Sequence, residues 1–160
     1  MVMENKINTQ LKTIIVLATI VLIVALAACS IKTSDRFTDL LVTKLHAEDK
    51  IQLSSIFDFS FDRAYVFSDC YLSGEGLNKR YDLGLSINEV ESGVSENIQR
   101  IVFVDEFGEY VFLYECPKDK INFRSLGQVL YPETIISRNE IDISGRIVIS
   151  FNSDDYYLFG

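Results

Sequence analysis

The 160-residue sequence has no tryptophan and only two prolines, one histidine and three cysteines. A single histidine and scattered cysteines do not supply the clustered ligands of most zinc and haem sites, so we expect no metal or other cofactor. Basic residues are scarce as well, since 15 Lys and Arg stand against 23 Asp and Glu and give a formal net charge of −8. This balance argues against nucleic acid as a partner, because phosphate groups attract Lys and Arg.

The short motifs of common enzyme classes are also missing. The sequence contains no phosphate-binding glycine loop, no nucleophile elbow and no His–Glu zinc helix, so we assign no catalytic residue and expect no enzyme. Its composition is ordinary for one folded domain, with 48% hydrophobic and 12% aromatic residues.

The longest apolar stretch lies at the N-terminus. No charged residue occurs in the 19 positions between Lys12 and Lys32, and the stretch ends in small residues. A basic flank, an apolar segment and small residues are typical of a secretory signal. An uncleaved single-pass helix over residues 13–28 is the alternative, because a membrane-spanning helix needs about 20 apolar residues. Lys6 and Lys12 place the N-terminus inside in both cases, so the rest of the chain lies outside the cytoplasm.

The end of this stretch, Leu26-Ala27-Ala28-Cys29, resembles the lipobox of bacterial lipoproteins. In that family the signal peptide is cut before the cysteine, whose thiol carries glycerol esterified with fatty acids such as palmitate. The resemblance implies that residues 1–28 are removed and that residues 29–160 form a lipid-anchored extracytoplasmic domain. Ser30 differs from the aspartate that retains lipoproteins in the inner membrane, which favours the outer membrane in a Gram-negative cell.

Hydrophobic periodicity predicts a helix near the start of this domain. Between Thr33 and Lys50 apolar residues recur at helical spacing, namely Phe37, Leu40, Leu41 and Leu45. Residues 73–85 predict a loop with at most a short helix, because three glycines weaken helical structure there.

Runs rich in residues that favour β-structure predict strands in the remainder of the domain. Residues 62–68 form the best single strand, and residues 101–104 and 110–114 form an antiparallel hairpin through a glycine-containing connection. Residues 146–151 predict another strand, with weaker signals at 121–123, 129–131 and 156–159. We therefore expect an α+β fold, in which the signal or anchor segment is followed by a helix and a mainly antiparallel sheet.

Cys70 and Cys116 remain after Cys29, and each follows a predicted strand. Outside the cytoplasm, two such thiols either form a disulfide or stay as buried free cysteines. A Cys70–Cys116 disulfide would contribute about 2–4 kcal/mol to stability. Sequence alone does not decide between the two options.

Acidic residues supply two site hypotheses. Asp58 and Asp62 lie four residues apart among phenylalanines, which can raise carboxyl pKa values as acid–base catalysis requires. In so acidic a chain, a chance pair is the better interpretation. Acids at the hairpin connection can coordinate calcium, but their spacing differs from the EF-hand loop and favours a solvated turn. These are Asp105, Glu106 and Glu109.

Tyrosines are numerous enough to line a binding face, as they do at many interfaces. Core or strand positions with a hydrated hydroxyl are the simpler interpretation. The residues concerned are Tyr65, Tyr71, Tyr81, Tyr110, Tyr114, Tyr156 and Tyr157.

Two stretches resemble a family of small exported bacterial lipoproteins. Phe59–Phe67 is similar to the aromatic strand of that family, with Phe61 in place of a tryptophan, and Ile98–Val111 is similar to its following hairpin. No activity is assigned to the family. The resemblance therefore implies an envelope location and no catalytic residue.

These observations predict a membrane-anchored envelope lipoprotein with a small acidic binding domain. Residues 29–160 carry 13 Lys and Arg against 22 Asp and Glu, a net charge of −9. A solvated acidic surface that keeps the domain soluble is the commoner explanation of such a charge, which also favours a basic envelope protein as partner. The chain would contact the membrane through lipid on Cys29 or through residues 13–28. The alternatives are an envelope hydrolase that uses carboxylates, and a single-pass membrane protein with an uncleaved N-terminal helix.

The intact mass of the membrane-extracted protein tests the lipoprotein hypothesis. We expect a chain that lacks residues 1–28 and carries an acyl-glyceryl group. Cys29→Ser should abolish the lipid, because the group is attached to this thiol. A full-length, lipid-free mass for the native chain would remove the hypothesis and leave residues 13–28 as a membrane helix.

Overall fold

The computed structural model describes residues 34–67, 71–93 and 95–157. A boundary between two units falls after Arg36, and the second unit, Phe37–Gly160, contains the structure discussed below. The lipobox with Cys29 lies outside the described residues, as does Cys70. Within the described ranges, no helix is long and apolar enough to cross a membrane.

The described chain has an α+β fold, as predicted. Its strands form two sheets, sheet A with the order β1-β7-β8-β5 and sheet B with the order β4-β3-β2-β6. Among the described strand pairs, β5–β8 is parallel and the others are antiparallel. In chain order the elements are α1 (34–47), β1 (Lys50–Gln52), a 3-10 turn (Leu53–Ser55), β2 (Arg63–Phe67), α2 (Gly74–Tyr81), β3 (Ile98–Val104), β4 (Tyr110–Pro117), β5 (Ile121–Phe123), β6 (Val129–Leu130), β7 (Ile135–Ile141) and β8 (Ile147–Asn152).

The predicted hairpin is confirmed as β3 and β4. Its register pairs Ile101 with Tyr114 and Val102 with Leu113. A bulge follows, because Phe103 pairs with Phe112 while Val104 pairs with Tyr110, which leaves Val111 as the extra residue. The strands predicted at 62–68 and 146–151 are present as β2 and β8.

The predicted first helix is too long at its C-terminal end. Helical structure stops at residue 47, and Lys50 already belongs to β1. A distant residue stabilises this end, since the Arg138 guanidinium donates to the Leu45 carbonyl and to the Asp49 carboxylate. The helix therefore ends where β7 supplies hydrogen-bond donors, a tertiary effect that local periodicity does not contain.

The single predicted sheet is wrong, because the strands divide into two sheets. Strands β1 and β7 were not predicted, since their short or largely polar sequences each bury few side chains. The last predicted strand, 156–159, is not a strand in its described part, because Tyr156 forms an isolated bridge with Gln128. Residues 158–160 lie outside the described ranges.

Sheet B is covered on both faces. One face contributes to the main core with α1 and sheet A, through buried residues such as Phe37, Phe103 and Ile149. The other face forms a second core with α2 and the segment after it, around Leu77 and Val102. Burial on both sides explains why Ala64–Phe67 of β2 and Ile101–Val104 of β3 contain no charged residue.

Helix α2 lies directly against backbone in this second core. Ser73 caps it, since its Oγ accepts the Gly76 N–H at 3.2 Å. A Cβ placed on Gly74 would lie 1.6 Å from the Ile87 carbonyl oxygen, so only glycine fits this contact. The close approach allows the Gly74 N–H to donate to the Val90 carbonyl at 2.7 Å.

The side chain of Gln99 joins the two sheets. Gln99 belongs to β3 and is 1% exposed. Its Nε2 donates to the Ile121 carbonyl at 3.0 Å, and its Oε1 accepts the Phe123 N–H at 2.9 Å. The side-chain amide of Gln99 therefore makes two hydrogen bonds to the backbone of β5, in place of those that a neighbouring strand would make.

Replacing this amide should destabilise the domain. In Gln99→Leu, the Ile121 carbonyl and the Phe123 N–H lose their buried partners, and we expect a loss of about 2–4 kcal/mol in the free energy of unfolding. Urea denaturation measures this loss. The exposed Gln52→Leu is the matched control and should change stability by about 0.5 kcal/mol or less. Equal stability of the two variants would contradict the linking role of Gln99.

Candidate functional site

The connection between β3 and β4 is a tight turn organised by Asp105. Its Oδ1 accepts the N–H groups of Phe107 and Glu109, both at 2.9 Å. Backbone bonds close the turn, from Gly108 N–H to the Asp105 carbonyl at 3.1 Å and from Asp105 N–H to the Glu109 carbonyl at 3.0 Å. Gly108 has φ +81, a conformation that favours glycine. The carboxylate of Asp105 is thus a structural acceptor in this turn.

The hairpin of β7 and β8 closes with the same turn. Asp142 Oδ1 accepts the N–H groups of Ser144 at 2.9 Å and Arg146 at 3.0 Å, and Gly145 has φ +83. The hydrogen bond from the Ser144 hydroxyl, reinforced by the Arg146 guanidinium, lowers the pKa of Asp142 to about 2. Both turns place an Asp three residues before a Gly between two strands, a sequence signal that was not used in predicting them.

A neighbouring loop fixes the turn in place. The Ser86 N–H donates to the Gly108 carbonyl, and the Tyr110 N–H donates to the Ser86 carbonyl, both at 3.0 Å. The side chain of Leu85 lies close behind Gly108, 3.3 Å from the position of a Cβ. The turn is therefore held from within by Asp105 and from the side by residues 85–86.

This fixed turn presents Phe107 to solvent. The Phe107 side chain is 80% exposed. It borders a depression of about 320 Å³, whose lining residues are Ser60, Phe61, Asp62, Asp105, Glu106 and Phe107. We call these six residues the tip surface. Three of them are acidic, and no Lys or Arg of the described chain is among them. An exposed aromatic ring beside carboxylates suits a ligand with both apolar and cationic groups.

Two other depressions in the described chain are also rich in acids. One, of about 360 Å³, contains Glu89, Glu91 and Glu115, and the other, of about 430 Å³, contains Glu133, Asp154 and Asp155. The first also contains Arg100, which is 2% exposed and pairs with Glu115 at 2.8 Å. That cation is already neutralised by its partner, so each depression presents a negative surface.

None of the three depressions described above contains both carboxylates proposed for catalysis. Asp58 and Asp62 are both exposed, and only Asp62 lines the tip surface. Its carboxylate accepts a hydrogen bond from Arg63 at 2.9 Å. The acids proposed for calcium form a hydrogen-bonded turn, and the described residues contain no group of three or more metal-ligating side chains.

Cys116 is fully buried, and it forms no disulfide with another described residue. Burial raises the pKa of this thiol to about 12, so almost none of it is in the nucleophilic thiolate form at neutral pH. Its proposed partner, Cys70, lies outside the described residues. The Cys70–Cys116 disulfide therefore stays a prediction.

The tyrosines do not form one face. Tyr65 and Tyr114 are buried in different cores, while Tyr71 and Tyr156 are about half exposed. Burial raises the pKa of the Tyr65 hydroxyl above its ordinary value. The core interpretation is thus confirmed for Tyr65 and Tyr114. The residue that sequence reasoning missed is Phe107, because composition and spacing do not indicate whether one phenylalanine points outward.

Comparisons of the chain with protein-family models, with curated proteins and with solved structures find no match.

The turn gives a test of how firmly Phe107 is held. Asp105→Ala removes the acceptor of two backbone N–H groups, and we expect faster hydrogen exchange at the Phe107 and Glu109 amides and a stability loss of about 1 kcal/mol. Asp105→Asn keeps an oxygen acceptor and is the matched control, with exchange close to the native rate. If Asp105→Ala exchanges no faster than Asp105→Asn, the carboxylate does not organise the turn.

Proposed function

We propose that this chain is a membrane-anchored envelope lipoprotein whose exported domain binds a basic partner protein through the tip surface. The observation that carries the proposal is the exposure of Phe107 on a hydrogen-bonded turn beside three carboxylates. Scattered exposed apolar residues are common on proteins. A large exposed ring on a hydrogen-bonded backbone turn beside charges of one sign is a more specific arrangement.

The aromatic ring and the carboxylates of the tip surface contribute to binding in different ways. Burial of the Phe107 ring by a partner is worth about 1.5–3 kcal/mol, and little conformational entropy is lost because the turn is already ordered. Glu106 attracts Lys or Arg side chains and accelerates the encounter. Asp62 and Asp105 make a smaller contribution, because their carboxylates already accept hydrogen bonds from Arg63 and from backbone N–H groups. An arginine can satisfy both parts, since its guanidinium stacks on aromatic rings and pairs with carboxylates.

The membrane attachment rests on the sequence. The lipobox at Leu26–Cys29 supports lipid on Cys29 and a domain outside the cytoplasm. A net charge of −9 on residues 29–160 repels anionic lipid, which leaves the acidic surface available to a partner. Lipid anchoring and an acidic binding domain are therefore compatible.

The alternative function, a hydrolase that uses carboxylates as catalytic groups, has weaker support. Glycoside hydrolysis, for example, requires two carboxyl groups that converge on one substrate bond. At the tip surface, the Asp105 carboxylate is engaged by backbone N–H groups and the Asp62 carboxylate by Arg63. These partners suit a fixed turn and a charged surface better than proton transfer.

Partner capture with full-length protein tests the proposal. We expect Phe107→Ser to weaken binding of the envelope partner about tenfold or more, which corresponds to about 1.4 kcal/mol. Ile143→Ser is the matched control, because Ile143 is fully exposed on the equivalent turn of the other hairpin. Binding should also weaken as salt rises from about 0.05 to about 0.5 M. Equal effects of the two substitutions, or binding insensitive to salt, would contradict the proposal.

A further inference from the structure

Strand β4 forms one edge of sheet B. It is eight residues long, and β3 is its neighbour on one side. Among the described strands, none pairs with its other side. The loop at Ser86 bonds to the start of this side, at Gly108 and Tyr110. A sheet edge of this kind presents backbone N–H and C=O groups that can pair with another extended chain.

The outer edge of β4 has few of the features by which natural proteins prevent another chain from pairing with an edge strand. Its first five residues, Tyr110–Tyr114, are uncharged, and Val111, Phe112 and Leu113 are half-buried apolar side chains. Proline occurs only at the last position, Pro117, and the bulge lies at the first residues. Charged residues, central prolines and central bulges are the usual means of blocking an edge. The middle of β4 is therefore open to strand addition.

Acidic side chains border this edge. Leu113 and Glu115 of β4 line the 360 Å³ depression together with Glu89 and Glu91 of the neighbouring loop. Glu115 is paired with Arg100. In the described chain, neither Glu89 nor Glu91 takes part in a salt bridge. A chain running beside β4 would pass two carboxylates that are available for basic groups.

We propose that the outer edge of β4 takes an extended basic segment of the partner as an added strand of sheet B. The inference rests on the proposed binding function and specifies how the partner binds. Alternate side chains of an added strand face the same side of the sheet. Lys or Arg at every second position would therefore face Glu89 and Glu91, while backbone hydrogen bonds supply affinity.

Charge favours this occupant over a second copy of the chain. Two β4 edges brought together would also bring together the acidic depressions beside them, in a chain whose net charge is −8. Like charges so placed oppose association. A basic segment gains from the same surface.

The probe is a ten-residue peptide of alternating lysine and valine, titrated into full-length protein in detergent. The control peptide has the same sequence with N-methyl groups on every second residue, so that its charge remains but one edge cannot donate hydrogen bonds. We expect the control to bind about tenfold more weakly or worse, and the unmodified peptide to slow hydrogen exchange at β4 amides. Equal affinities of the two peptides overturn strand addition.

Charge-reversal variants test the acidic border. We expect Glu89→Lys/Glu91→Lys to weaken the unmodified peptide about tenfold or more. Glu48→Lys/Glu133→Lys makes the same change in net charge away from this depression and should bind nearly as the native chain does. Equal weakening by both double variants overturns the assignment to this edge.

The results also separate this inference from the proposed function. If partner capture depends on Phe107 while both peptides bind equally, the tip surface remains the binding site and strand addition is wrong. If Phe107→Ser leaves partner capture unchanged but the N-methylated peptide binds more weakly than the unmodified one, the tip surface is not the binding site and the assignment to the β4 edge remains. A concentration-dependent dimer that the peptide does not dissociate overturns the proposal in favour of a second copy at this edge.

Discussion

The two amide hydrogen bonds of Gln99 hold sheet A to sheet B at β5. Apolar side chains alone do not determine the relative orientation of two packed sheets, because hydrophobic burial is not directional. The Gln99 amide adds direction, since a donor and an acceptor must meet Ile121 and Phe123 at the same time. With this contact formed, β3 is placed relative to β5, and the hairpin of β3 and β4 projects from a fixed base. The position of Phe107 therefore depends on a buried amide near the start of the strand that leads into its turn.

Double burial of sheet B explains how so small a domain holds the proposed binding surface in place. Strands β2 and β3 pack on the main core and on the second core, so neither can shift without loss of contacts on both faces. Strand β4 lies beside β3 at the edge, and its turn is bound to the loop at Ser86. Order in the interior thus extends to the surface, where it limits the entropy lost on binding.

Sequence predicted the features that depend on local pattern. The hairpin was predictable because Ile101–Val104 and Tyr110–Tyr114 are rich in β-formers and flank a glycine. The division into two sheets was not, because it depends on long-range backbone pairing such as β1 with β7 and β5 with β8. Lys50–Gln52 became a strand only through pairing with β7, which also determines the end of α1. The exposure of Phe107 follows from turn geometry, which an isolated apolar residue in sequence does not indicate.

The order of strands has a consequence for how the chain reaches its folded state. The chain contributes β1 to sheet A, then β2, β3 and β4 to sheet B, then β5 to A, β6 to B, and β7 and β8 to A. Neither sheet is complete until the C-terminal third has joined, and pairing of β1 with β7 closes a long loop. Such non-local pairing slows folding. A chain exported in the way we propose would stay unfolded for longer during synthesis, which is the condition that passage through a narrow membrane channel requires.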